Sequence, residues 1–123
     1  MSAARAAGGA RFLLLATTAL LGACMTRTPV PMRSGEVGPA AIGRLLTVEG
    51  RLTQLPLDDR PWGWKLFVDD GSGALLVFIA PESQIDASRL AAGQRLRVTG
   101  TVARYEQHIE LLPRTPADLQ PLP

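Results

Sequence analysis

The chain has 123 residues, 46% of them hydrophobic and 20% charged, which is enough for one folded domain with an apolar core. Its single cysteine excludes an intrachain disulfide. Because the chain also has only one histidine, a Cys/His zinc site is excluded as well. Of the 13 basic residues, two lie within residues 1–23, which contain none of the 11 acidic ones, so residues 24–123 are balanced at 11 of each. This balance is unlike the strongly basic footprint that nucleic-acid binding usually needs.

The N-terminus has the layout of a secretory signal peptide. Arg5 and Arg11 form a short basic region, and the apolar run Phe12–Leu21 follows. That run is too short for a membrane-spanning helix, which needs about 20 apolar residues. The next residues, Leu21–Cys24, resemble the lipobox of bacterial lipoproteins.

The lipobox resemblance implies that Cys24 receives a diacylglycerol on its sulfur and that the signal is cut before it. In that family an aspartate after the cysteine usually retains the protein in the inner membrane. Because Met25 stands there, we expect an outer-membrane lipoprotein, lipid-anchored and facing the periplasm. The alternative is an ordinary secreted protein with an unmodified cysteine.

Composition divides the rest of the chain into three parts. Residues 24–40 are rich in Pro, Gly, Ser and Thr, which predicts a lipidated cysteine followed by a flexible tether. Residues 41–119 form the folded domain, and 120–123 form a short tail.

Apolar and polar residues alternate along the folded domain, which predicts an all-β fold. Five strands are predicted: Ile42–Leu55, Trp62–Asp69, Ala74–Ala80, Gln94–Tyr105 and His108–Leu112. Between the third and fourth, residues 81–93 break the alternation and predict one short helix or helical turn. This order fits a five-stranded Greek-key barrel, the OB-fold; an open β-roll or an SH3-like barrel is the alternative.

Gly50 and Gly100 lie in mid-strand on the predicted inner face. Glycine relieves crowding where a strand bends sharply around a small barrel, although a simple bulge is the other reading.

Three segments in order, Val48–Leu52, Trp64–Gly73 and Arg97–Val102, resemble the OB-fold superfamily, in particular its tRNA-anticodon-type nucleic-acid-binding domains. In that family the ligand face is the outer surface of strands two and three, between two loops. Aromatic side chains on such a face stack bases, and cations beside them pair with phosphates. The resemblance places these candidate ligand-binding residues there: Arg51, Trp62, Lys65, Phe67, Phe78, Arg104, Tyr105 and His108. Alternatively, the tether, the tail or a partner covers the aromatic residues.

The function expected from these features is a membrane-anchored, non-catalytic binding module for single-stranded nucleic acid. An envelope protein–protein interaction or a small-ligand site is the alternative. We expect no enzyme, because His108 is the only imidazole and no serine lies in a nucleophile motif. Asp69–Gly73 lacks the spacing of a calcium loop, so neither a metal nor a cofactor is expected.

Overall fold

The computed structural model describes residues 27–123, so the predicted signal peptide and the lipidation of Cys24 lie outside the described residues. In this described part of the chain, eight strands form one sheet: β1 Val30–Pro31, β2 Leu45–Leu52, β3 Leu57–Asp58, β4 Trp64–Asp69, β5 Ala74–Ile79, β6 Arg95–Tyr105, β7 His108–Leu112 and β8 Leu119–Pro121. Within residues 27–123, no helix is both long and apolar enough to cross a membrane.

Five of these strands close into a barrel in the order β2, β4, β5, β7, β6 and back to β2. All neighbouring pairs are antiparallel except β5 and β7, which run parallel. This closed circuit confirms the predicted all-β, five-stranded Greek-key OB-fold.

Most of the core consists of strand residues that the alternation assigns to the inner face. Leu46, Val68, Val77, Leu96 and Leu111 are almost completely buried in it.

The two mid-strand glycines lie where strands approach closely. A Cβ on Gly50 would come within 2.9 Å of the Asp69 carbonyl, at the point where β2 leaves β6 and pairs with β4. A Cβ on Gly100 would lie 2.6 Å from the Leu112 carbonyl oxygen. Both contacts are closer than real Cβ atoms allow, so glycine is required for the barrel to close here.

The segment between β5 and β6 contains little regular structure. Its helical element is one 3-10 turn at Pro81–Ser83, so the predicted short helix is present but only three residues long. Ile85, Ala87 and Leu90 follow it and are buried in the core. These side chains close one end of the barrel without continuing a helix.

The N-terminal segment packs against the barrel, which differs from the expected flexible tether over residues 24–40. β1 pairs in parallel with β2, and Ser34 is 1% exposed. The Ser34 N–H donates to Asp70 Oδ2 at 2.9 Å, and the Asp70 N–H donates to Ser34 Oγ at 3.0 Å. Gly35 adds a hydrogen bond from its N–H to Ser72 Oγ at 2.8 Å. These long-range hydrogen bonds, which composition does not reveal, hold the segment on the β4–β5 turn.

The C-terminus also joins the sheet. β8 pairs antiparallel with β6, and the Leu122 N–H donates to the Arg95 carbonyl at 2.9 Å. Residues 120–123, the expected tail, therefore lie along the edge of the barrel.

Candidate ligand-binding groove

A groove of about 790 Å³ lies on the outer face of the barrel, between the loop before β4 and the β6–β7 hairpin. Its volume is in the range of small-molecule binding sites. β4, β5 and β7 supply its floor, the loop supplies one rim and the hairpin supplies another. The groove therefore coincides with the face that the sequence resemblance predicts.

The loop before β4 holds Trp62 at the rim. The Asp59 N–H donates to the Gly63 carbonyl at 2.9 Å, and the Trp62 N–H donates to the Asp59 carbonyl at 2.8 Å. Gly63 has a φ of 145°, and a Cβ there would lie 2.2 Å from the Ile79 carbonyl oxygen, so only glycine lets the loop approach β5 this closely. Trp62 is left 72% exposed, a large aromatic surface available to a ligand.

The floor combines apolar and charged side chains. Lys65 on β4 and Phe78 on β5 are cross-strand neighbours, and both are half-buried. Leu76 lies one position along the same outer face of β5 and also lines the groove. The adjoining rim comes from the hairpin, where Tyr105 and His108 pair across a two-residue turn and are both exposed.

Glu110 lies in the floor and is the most buried charged residue of the site. It sits on β7 beside Leu76 and is only 8% exposed. Burial raises the pKa of its carboxyl group, against the opposing effect of the positive charges of Lys65 and His108. No hydrogen-bond donor among residues 27–123 reaches its carboxylate, and no cationic group there lies within 4.0 Å of it. The groove thus contains a buried acceptor without a partner in the described part of the chain.

Carboxylates outnumber cations in the groove. Its acidic residues are Asp59, Glu82, Glu106 and Glu110. Among residues 27–123, Lys65 is the only lysine or arginine that lines it, and its Nζ lies 3.9 Å from the Asp59 carboxylate. The lining is consequently negative at neutral pH.

Arg60, in the loop at the rim, adds little free positive charge. Its Nε donates to Asp58 Oδ1 at 2.8 Å, and its guanidinium carbon lies 4.9 Å from the centre of the Trp64 ring. The hydrogen bonds with Arg60 hold the pKa of the Asp58 carboxyl group below its usual value, so this pair stays charged and engaged with itself.

The structure brings together five of the eight predicted ligand-binding residues. The groove is lined by Trp62, Lys65, Phe78, Tyr105 and His108. Arg51 lies elsewhere, where its Nη1 donates to the Gly93 carbonyl at 2.9 Å. Phe67 is half-buried on the outer face of β4 and Arg104 is exposed on β6, but neither lines the groove.

Sequence reasoning missed Glu82 and the burial of Glu110. Strand alternation assigns Glu110 to the outer face, which is correct, but that pattern also suggests exposure to solvent. The groove around it also includes β5 and the loop before β4, which are distant from Glu110 in sequence, so strand alternation alone does not reveal its burial.

Within the described residues, no three His, Cys, Asp or Glu side chains are grouped so that they could hold a metal ion. The carboxylates of the β4–β5 turn accept backbone hydrogen bonds instead. Asp69 Oδ1 accepts from the Gly71 N–H at 2.8 Å, and Asp70 Oδ1 accepts from the Ser72 N–H at 2.9 Å. The segment Asp69–Gly73 therefore forms a turn held by its own side chains.

Comparison with known proteins relates the chain by fold. Neither a scan of protein-family models nor a search of curated proteins found a match. Among solved structures, the OB domain of MM0293 from Methanosarcina mazei has a TM-score of 0.63 at 11% identity, covering 78% of this chain and 86% of that one. Asparaginyl-tRNA synthetase from Pyrococcus horikoshii has a TM-score of 0.62 at 17% identity, covering 74% of this chain.

A replication protein A heterotrimer bound to single-stranded DNA is also similar, with a TM-score of 0.52 and 20% identity over 67% of this chain and 59% of that one. The chain matches only 22% of the length of the P. horikoshii synthetase and 21% of an aspartyl-tRNA synthetase from Leishmania major. At these identities the comparison establishes architecture alone. The described part of the chain is an OB-fold domain.

Proposed function

We propose that this protein is a non-catalytic binding module whose ligand occupies the groove between the loop before β4 and the β6–β7 hairpin. One observation carries the proposal: Trp62 and Tyr105, 72% and 62% exposed, line an apolar floor that contains Phe78. Large exposed aromatic side chains around a concave apolar surface are typical of binding sites.

Single-stranded nucleic acid is the first ligand class. The aromatic residues suit base stacking, and the similarity to the DNA-bound replication protein A heterotrimer supports this ligand. Stacking is worth roughly 1–3 kcal/mol per base. Because carboxylates line the groove, the phosphates would have to lie outside it, and binding would depend mainly on the bases.

A titration of the full chain with fluorescent single-stranded DNA at low and moderate salt tests this ligand. We expect Trp62→Ala to weaken binding about tenfold or more, whereas Leu55→Ala, an exposed apolar residue outside the groove, leaves it unchanged. Absence of binding at low salt, or equal binding by both variants, would exclude base stacking in this groove.

A protein partner is the second ligand class, and the excess of carboxylates in the groove favours it. Charge complementarity selects partners and steers their encounter. A partner surface that carries cationic side chains would match the lining, whereas the phosphates of a nucleic acid would be repelled by it.

We further propose that Cys24 carries a lipid that anchors the module at the periplasmic face of the outer membrane. The match of Leu21–Cys24 to the lipobox, with a charged and then an apolar segment before it, supports this proposal. Mass spectrometry of the mature protein should show diacylglycerol and an acyl chain such as palmitate on Cys24. Cys24→Ser should lose both and leave the outer-membrane fraction. An unmodified wild-type cysteine would contradict the anchor.

A further inference from the structure

Most of the formal charges that line the groove are negative. Four carboxylates line it, and the one lysine among its lining residues already faces Asp59 at 3.9 Å. A ligand that brings more negative charge would be repelled from this surface, whereas one that brings donors and positive charge would be attracted.

Among these four carboxylates, Glu110 is distinguished by its burial. The residue lies at the floor and is 8% exposed, and in the described part of the chain no hydrogen-bond donor or cation lies within bonding distance of its carboxylate. A buried carboxylate without a partner is unfavourable, and a donor that reaches it from the groove would remove that cost. A guanidinium or ammonium group does this best, because it supplies both the opposite charge and several N–H donors.

The aromatic residues that line the same groove suit the same ligand. Cations are attracted to the faces of Trp, Tyr and Phe rings, and Trp62, Tyr105 and Phe78 all line the groove. The loop at the rim already contains one such contact, in which the Arg60 guanidinium lies 4.9 Å from the centre of the Trp64 ring. Arg60 itself is hydrogen-bonded to Asp58, so it does not neutralise the carboxylates of the groove.

We infer that the groove binds an arginine or lysine side chain presented by a protein partner, with the cationic group directed at Glu110 and flanked by the aromatic rim. This inference rests on the groove being the ligand site proposed above. It names the ligand chemistry of that site and favours a protein over a nucleic acid.

Peptide probes test the inference with the full chain in a nonionic detergent. Capped tetra-arginine and tetra-citrulline have nearly the same shape, but only arginine is charged. We expect tetra-arginine to bind about tenfold more tightly by isothermal titration calorimetry. Glu110→Gln should lose about tenfold in affinity for tetra-arginine, while the matched control Glu36→Gln, which lies outside the groove, should bind like the wild type.

Three outcomes would overturn the inference, and they differ in what they leave standing. Equal binding of the two peptides, or unchanged binding by Glu110→Gln, would rule out recognition of a cationic side chain at Glu110. If the chain binds a short single-stranded DNA and not the peptides, and Trp62→Ala abolishes that binding, recognition of a cationic side chain is ruled out. The groove then remains the ligand site. Binding of none of these probes removes both proposals. Should Glu110→Gln fail to fold by circular dichroism, Glu106→Gln on the exposed hairpin tests the same electrostatics.

Discussion

Glu110 combines nearly complete burial with a charge, and this combination predicts its effect on stability. Burial raises the pKa of its carboxyl group above the ordinary value of about 4.3, although Lys65 and His108 oppose the rise. The folded state therefore holds this proton more tightly than the unfolded state does. The free-energy cost of burying the charged carboxylate is absent at pH values below the pKa of the unfolded state. It is complete at pH values above the pKa of the folded state.

We expect Glu110→Gln to increase the free energy of unfolding at pH 7 by on the order of 1 kcal/mol, because the neutral amide is easier to bury. The difference from the wild type should shrink as the pH falls below the raised pKa of Glu110, because its carboxyl group is then neutral as well. Urea unfolding at pH 7 and pH 4 measures both values. Glu36→Gln, at an exposed site, should change neither; a loss of stability at pH 7 in Glu110→Gln would mean that the carboxylate has a stabilising partner.

Asp70 should show the opposite pH dependence. The Ser72 hydroxyl, followed by the backbone N–H groups of Ser34 and Ser72, holds the pKa of its carboxyl group well below the ordinary value. Its stabilisation is therefore present above the unfolded pKa of about 3.9 and is lost as the pH falls below it. We expect Asp70→Asn to be less stable at pH 7 and to lose less stability than the wild type between pH 4 and pH 2. Parallel acid-unfolding curves would contradict this role.

At the scale of elements, one serine joins the N-terminal segment to the β4–β5 turn. Ser34 Oγ accepts from the Asp70 N–H at 3.0 Å and donates to the Gly73 carbonyl, and both bonds are largely shielded from solvent. Ser34→Ala should cost about 1–3 kcal/mol, because the Asp70 N–H then loses its buried acceptor. Chemical unfolding measures this cost. Thr28→Ala, at an exposed position ahead of β1, is the control. If Ser34→Ala were as stable as the wild type, the hydrogen bonds of Ser34 would contribute nothing to stability.

The strands were more predictable than the segments around them. Strand alternation identifies inner-face residues such as Leu46 and Val98 because one face of each barrel strand must be buried. The N-terminal segment has the composition of a linker, and its structure depends on Ser34 meeting a turn 36 residues away. The groove follows the same division. Five of the eight residues that the resemblance assigns to a ligand face line it, and their role in binding stays a prediction, whereas the burial of Glu110 involves β5 and the loop before β4, which no local pattern connects to it.

At the scale of the whole molecule, the charge balance hides an uneven distribution. Residues 24–123 carry equal numbers of acidic and basic residues, yet acidic residues dominate the groove. Most basic residues of the described part lie elsewhere; for example, Arg97 on β6 forms an ion pair with Glu49 on β2 at 2.7 Å. Net charge therefore says little about the ligand here, whereas the charge of the groove lining argues directly for a cation.

The folded unit is also larger than the barrel, and limited proteolysis can locate where it begins. Among residues 27–123, Val30 is the first that pairs with the sheet, so Arg27 precedes the paired segment and Arg33 lies inside it, next to the buried Ser34. Trypsin needs several residues of extended chain, and after Arg33 it can obtain them only when the segment detaches from the barrel.

We expect trypsin to cleave the full chain after Arg27 about tenfold or more faster than after Arg33. Mass spectrometry distinguishes the two products, which begin at Thr28 and Ser34 respectively. Ser34→Ala should accelerate the cleavage after Arg33 and leave the cleavage after Arg27 unchanged. Only cleavage after Arg33 requires the hydrogen bonds between Ser34 and the β4–β5 turn to break. Equal cleavage rates at the two sites in the wild type would mean that the segment moves freely from Cys24 to the barrel. In that case the flexible tether that composition predicts over residues 24–40 would be present in solution.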